Sequence, residues 1–352
     1  MSPGDLVISA GLLLVLLCAA LSLGVSYLVL RNAEYLQVMA TPNARSSHNR
    51  PTPSGGGVGI VAGGTLAALS TAMSTPWPTL LVIVAGLVIA AIGFVDDRRP
   101  VPFAYRLAAQ FALAAMLVAL GIPAGQLVQG IGLPLPWAVL ALLAVVGTVY
   151  WINLFNFMDG IDGLAAGQGA FMLGGAALLA AWANPLLLAL PVYWWMLASA
   201  AAAAAFLVLN WAPAKIFMGD AGSTFLGLLI AFFGLATIAL GWLSLWQWLI
   251  LAGLFVADAT VTLLRRLRLG EQVTLAHRRH AYQRLARRWG SHARATGLYL
   301  GINLVWLLPL AALAGDSVGG LLVAVLAYAP LLVMMLRVGA GLPEETLRPT
   351  AT

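Results

Sequence analysis

Long apolar runs separated by short polar links recur along the whole chain. Windows of about 20 apolar residues fall near 5–30, 56–73, 77–95, 104–121, 134–152, 162–182, 188–209, 222–242, 245–264, 297–314 and 318–337. A hydrocarbon core roughly 30 Å thick is crossed by about 20 helical residues. Backbone groups must be paired within lipid, and runs this long and uniform suit no barrel strand, so each window is predicted to be a helix. The expectation is an all-α polytopic membrane protein with about eleven transmembrane helices.

Composition agrees. Of 352 residues 62% are hydrophobic and 9% charged, too few charges to cover a soluble domain of this size. All 18 Lys and Arg residues lie in or at the edge of alternate links: 31–55, 96–104, 153–161, 210–221, 265–296 and 338–352. That bias predicts an N-terminus outside and a C-terminus in the cytoplasm. The net charge of +6, gathered on one face, suits anionic headgroups or an anionic substrate. The first apolar segment carries Asp5 and has no basic leader or small-residue cleavage site, so it is expected to be a retained helix. A single cysteine, Cys18, excludes a disulfide and a cysteine-ligated metal. With no linker or repeat in sight, residues 1–352 are expected to form one membrane domain, with 265–296 as a cytosolic basic amphipathic element.

The chemistry-bearing residues collect in those same links. All four histidines and nine of the twelve acids are there. Asp96, Asp97, Asp159, Asp162 and Asp220 stand at helix ends, beside glycines. Two carboxylates about 5 Å apart repel by roughly 3 kcal/mol at an effective dielectric near 20, so such a cluster calls for a cation. Oxygen ligands without cysteine favour Mg²⁺, or Mn²⁺, over zinc. In NLFNFMDGIDGLAAG (153–167), Asn153, Asn156 and Asp159 recur every third residue, on a slowly turning strip of one helix. Gly219-Asp-Ala-Gly222 and the triple glycine at 55–57 open helices and read as phosphate cradles. A helical wheel begun at His277 puts His277, His280, Arg284, Arg287 and Arg288 on one arc and Tyr282, Leu285 and Trp289 on the other. That pattern serves a helix on the membrane surface, or a clamp on a diphosphate with Arg284 in it.

Five stretches together, RSSHNRPTPSGGG (45–57), GFVDDRR (93–99), NLFNFMDGIDGLAAG (153–167), KIFMGDAGSTFLG (215–227) and HRRH (277–280), resemble the polyprenyl-phosphate N-acetylhexosamine-1-phosphate transferases (glycosyltransferase family 4). The resemblance covers nearly the whole chain. It implies transfer of a sugar-1-phosphate from a UDP-N-acetylhexosamine to undecaprenyl phosphate with release of UMP, in the inner membrane and with the active site on the cytoplasmic face. By the family's pattern Asn156 and Asp220 hold Mg²⁺. Asp96 and Asp97 orient or deprotonate the lipid phosphate, and Asp159 and Asp162 lie near nucleotide and metal. Substrate contacts are expected at Arg45, Ser47, His48, Lys215, His277, Arg278, His280 and Arg284. The cell-wall branch, which makes the muramyl-pentapeptide lipid, has three successive acids and adjacent histidines. This chain has Asp96-Asp97-Arg98 and spaced histidines, so the O-antigen-initiating branch fits better.

Membrane lipids are implied partners, nucleic acid is not, and a homodimer is left open. A transporter would place ionisable groups at the bilayer midplane, where only Asp258 comes near, with Arg265 or Arg266 as its expected partner. A scaffold would need the basic face but not the Asn/Asp strip. A CDP-alcohol phosphotransferase would need an Ala-Arg pair where this chain reads Gly163-Leu-Ala-Ala166.

Overall fold

The computed structural model describes residues 3–40, 51–74, 76–132, 135–272, 277–315 and 318–343. Helices form at every apolar window. They are α1 (Pro3–Arg31), α2 (Val58–Ala72), α3 (Pro76–Arg98), α4 (Phe103–Met116), α5 (Ala124–Ile131), α6 (Trp137–Phe157), α7 (Leu164–Ala183), α8 (Pro191–Asn210) and α9 (Gly219–Ala239). After these come α10 (Leu245–Leu251), α11 (Gly253–Arg268), α12 (Ala281–Trp289), α13 (His292–Ile302), α14 (Leu308–Leu313) and α15 (Val318–Val338). The strands among the described residues are the two-residue pair Met39–Ala40 and Thr52–Pro53.

The number of crossings is smaller than eleven. Among the described residues nine helices are long and apolar enough to span, or ten if the bent pair α10–α11 is one span. The window at 56–73 yields only the 15-residue α2, too short to cross about 30 Å of hydrocarbon. α2 instead packs against α1, α3, α8 and α9. The window at 245–264 breaks between α10 and α11 with a 72° bend. Gln168 of α7 donates to the Leu251 carbonyl at that break (3.1 Å), and Asn303 in turn donates to Gln168 (2.6 Å). A polar pair inside the bundle thereby serves a backbone group that the bend sets free.

α9 is the central helix, with 83% of its apolar window buried against 17% for α1, which faces outward. α9 touches α2, α3, α5 and α6. Close approach is built into the sequence at Gly93 of α3, where a Cβ would stand 2.6 Å from the Asp220 backbone. One turn further along that same face comes Asp97. The start of α9 is thus pressed against the last turn of α3, which is where the acidic residues gather.

Candidate functional site

Asp97 accepts the backbone N–H of Asp220 on Oδ1 (2.8 Å) and that of Ala221 on Oδ2 (3.3 Å). These are first-turn donors of α9, which have no partner inside their own helix. Gly219, with φ +76, makes the turn there and leaves no room for a side chain beside Asp97. The expected phosphate cradle at 219–222 therefore already holds an acid of the protein. The cradle expected at 55–57 is spent likewise: Gly56 and Gly57 donate to the Phe217 and Met218 carbonyls, 2.9 Å each.

The Asp220 carboxylate is gripped from two sides. Asn156 of α6 donates its Nδ2 to Asp220 Oδ1 and to Ser223 Oγ, 2.9 Å each. Arg106 of α4 donates to Asp220 Oδ2 at 2.9 Å and with the same nitrogen to Asp96. Asp96 also takes the Val101 N–H at 2.6 Å, which folds the α3–α4 link back on itself. Asn153 donates instead to Gln110 Oε1 (2.5 Å), so the strip read from the sequence divides at its first member.

α6 ends at Phe157, and residues 158–163 loop over to α7. Asp162 is tied down there. Its Oδ2 accepts the Ala214 N–H (3.1 Å), its Oδ1 lies 3.0 Å from His292 Nδ1, and its carbonyl accepts the Thr296 hydroxyl (2.7 Å). Burial pushes Asp162 up, but His292 and the Ala214 amide outweigh it and hold the carboxyl below its ordinary value. Asp159 has no such partner among the described residues. Burial, with Asp97 and Asp162 nearby, raises it to about 7.

Asp97, Asn156, Asp159, Asp162 and Asp220 line a cavity of about 290 Å³ together with Ser54, Gly160, Asn210, Phe217, Gln283 and His292. A smaller recess shares Asn156 and Asp220 with it and continues past Arg106 to Ile89, Ile92 and Phe103. The donors that could serve an ion here are hard: the Asp220 carboxylate and the Asn156 amide. No three His, Cys, Asp or Glu side chains among the described residues are placed to hold a metal together. Such a set fits a hydrated Mg²⁺, which takes few protein oxygens, and does not fit zinc.

Residues 79–238 match glycosyl transferase family 4. Over 307 residues the chain is 32% identical to the decaprenyl-phosphate N-acetylglucosaminephosphotransferase of Mycobacterium leprae (strain TN), across 78% of this chain and 76% of that protein. The chain belongs to glycosyl transferase family 4. It is 28% identical over 272 residues to a probable undecaprenyl-phosphate N-acetylglucosaminyl 1-phosphate transferase of Bacillus subtilis (strain 168), covering 73% of this chain and 72% of that one. A phospho-N-acetylmuramoyl-pentapeptide-transferase of Synechococcus elongatus is 36% identical over a shorter 232 residues, 61% of this chain and 60% of the other.

In this family 4 member the structure brings Asp97, Asn156, Asp159, Asp162 and Asp220 to one cavity, with Asp96 joined through Arg106. Arg45, Ser47 and His48 lie outside the described residues. Lys215 is exposed and does not line the cavity. The basic element is placed otherwise than the wheel suggests. α12 begins at Ala281, so His277 and Arg278 precede the helix, and His280 is its N-cap. Asp258 pairs with buried His280 (3.3 Å), whereas Arg266 pairs with Glu271 and Arg265 donates to the Ala340 carbonyl. Burial and the neighbouring His280, Arg266 and Arg279 push His277 down to about 3. Arg284, 4% exposed, donates to the Leu342 carbonyl.

Gln283 and His292 in the cavity and Arg106 in the adjoining recess are residues that the sequence reading did not single out. Arg106 stands at the edge of an apolar window, and only its charge marks it. His292 could have been found as the remaining histidine of the basic link.

Proposed function

We propose that the protein transfers a HexNAc-1-phosphate from a UDP-N-acetylhexosamine to undecaprenyl phosphate, releasing UMP, as a first membrane step toward O-antigen or a related surface polysaccharide. The observation that carries this reading is the Asn156–Asp220 contact at 2.9 Å, inside a cavity also lined by Asp97, Asp159 and Asp162. Residues drawn from α3, α6, α9 and the 158–163 loop meet there. The names of the relatives, which join a polyprenyl phosphate to an N-acetylglucosamine phosphate, agree with it.

Asn156 and Asp220 are the residues that would hold Mg²⁺, which supplies charge neutralisation for a diphosphate when bound. Phosphoryl transfer asks mainly for positioning and for cancelling charge. Arg106 offers a fixed cation where the apolar recess meets the cavity, suited to the acceptor phosphate whose prenyl tail stays in lipid. Asp97, bound to two backbone amides, holds the start of α9 in register with α3. Asp159, raised to about 7, can take up or release a proton at the pH where the acceptor phosphate itself titrates. The site would face the cytoplasm, following the Lys/Arg bias.

The cell-wall reaction, transfer of phospho-MurNAc-pentapeptide, is the second reading. Against it stand the Asp96-Asp97-Arg98 run, the spaced histidines and the shorter span shared with the Synechococcus relative. Purified protein in detergent, given undecaprenyl phosphate, Mg²⁺ and a panel of UDP-HexNAc donors or UDP-MurNAc-pentapeptide, decides the matter by UMP release and lipid product. No UMP from any donor overturns the transferase reading, and UMP from the pentapeptide donor alone selects the second one.

A further inference from the structure

Asp258 of α11 is fully buried and takes no part in lining the cavity. Its Oδ1 accepts the Ala281 N–H (2.8 Å), and its Oδ2 accepts the Tyr282 N–H (3.0 Å) and the Tyr299 hydroxyl (2.7 Å). The two amides are the first of α12, whose N-terminus is thus capped by a carboxylate from another helix. His280 adds a ring nitrogen at 3.3 Å and stacks on the Tyr282 ring, centroids 5.5 Å apart.

Held this way, the Tyr282 side chain points back to α6. It is fully buried, and its hydroxyl donates to the Phe157 carbonyl at 3.0 Å. Phe157 is the last residue of α6, so its carbonyl has no partner inside the helix. The preceding residue is Asn156, and Asp159 follows two positions on. A Cβ at Gly160 would run into the tyrosine hydroxyl, so the 158–163 loop lies directly on it. One phenol therefore stands where the end of α6 meets the loop that carries Asp159.

We propose that Tyr282, set in place by Asp258, is a positioning residue for the transfer: its hydroxyl fixes the end of α6, and with it Asn156 and Asp159, against α9. The proposal rests on the transferase reading for its kinetic test only. Tyr282→Phe deletes one hydrogen bond and keeps the ring, its stacking and its burial. The expected result is a kcat lower by about tenfold with a smaller rise in donor KM, since Asp159 is displaced together with Asn156, which would hold the Mg²⁺ that serves the donor. The double variant Asp258→Asn/Tyr282→Phe is expected to lose no more than the worse single one, because both act along one path.

A second measurement needs no activity. Hydrogen exchange on the intact purified protein should show amides 157–163 exchanging faster in Tyr282→Phe, while those of α9 stay as they are. An unchanged kcat in active enzyme, additive losses in the double variant, or unchanged exchange at 157–163 overturns the proposal. A wild-type protein that releases no UMP sinks the transferase reading instead, and the exchange result still decides this one.

Discussion

Asp97 in the last turn of α3 accepts the Asp220 amide at 2.8 Å and so closes the N-terminus of α9 from a different helix. A residue that both caps a helix and lines the cavity calls for two substitutions to separate the roles. Asp97→Ala should lose the cap, at about 1 kcal/mol of stability, and lose turnover as well. Asp97→Asn keeps an acceptor oxygen without the charge, so its melting temperature should stay near wild type while UMP release falls. Full turnover in the Asn variant would reduce Asp97 to a cap.

Arg106 is the cation in contact with both Asp96 and Asp220. Arg106→Ala would leave two half-buried carboxylates without it, and turnover should drop by about two orders of magnitude. Arg106→Lys brings the charge on a flexible stem that does not fix its direction as the guanidinium does, and should recover only part of the loss. UMP release by the two variants at saturating donor checks this. A Lys variant as fast as wild type would show that charge alone matters at this position, and one no faster than the Ala variant that charge without the guanidinium recovers nothing.

The helices were legible in the sequence because an apolar run of about 20 residues has few other uses. What the pattern could not show was that α2 stops at 15 residues, or that the window at 245–264 bends by 72°. Both depend on neighbours, such as Gln168 serving Leu251, that lie far away in the chain. The acids of the site stood out by their Gly-flanked spacing. Arg106 did not, since its partner Asp220 is 114 positions away. The basic link misled for a related reason. A wheel gives the relative directions of side chains but not what each direction meets, and His280 meets buried Asp258 while Arg284 meets the Leu342 carbonyl.

That placement makes a prediction about the basic element. Arg284 is buried against the turn that follows α15, Arg265 donates to the Ala340 carbonyl of the same turn, and Arg288 to that of Val338, the last residue of α15. Arg284→Ala is expected to lower the melting temperature in detergent, by removing a buried donor to the part-buried Leu342 carbonyl, and to leave the donor KM unchanged. A raised KM at unaltered stability would instead put the guanidinium on the diphosphate.

Asp159 provides a test of the site that needs no substrate. Its carboxyl is raised to about 7, by burial first and then by Asp97 and Asp162, whereas an unfolded aspartate titrates near 3.9. Between those values the folded protein binds the extra proton. The group's contribution to stability is therefore complete below about pH 4 and is lost as pH rises through about 7. Asp159→Asn removes the titration. Without divalent cations the variant should gain on wild type in melting temperature between about pH 5 and about pH 8, the larger difference being at the higher pH. Adding Mg²⁺ at the higher pH should narrow that gap, because a cation among the carboxylates relieves the charge that the asparagine never had. Parallel melting curves for the two proteins across this range would mean that Asp159 ionises as an ordinary surface aspartate.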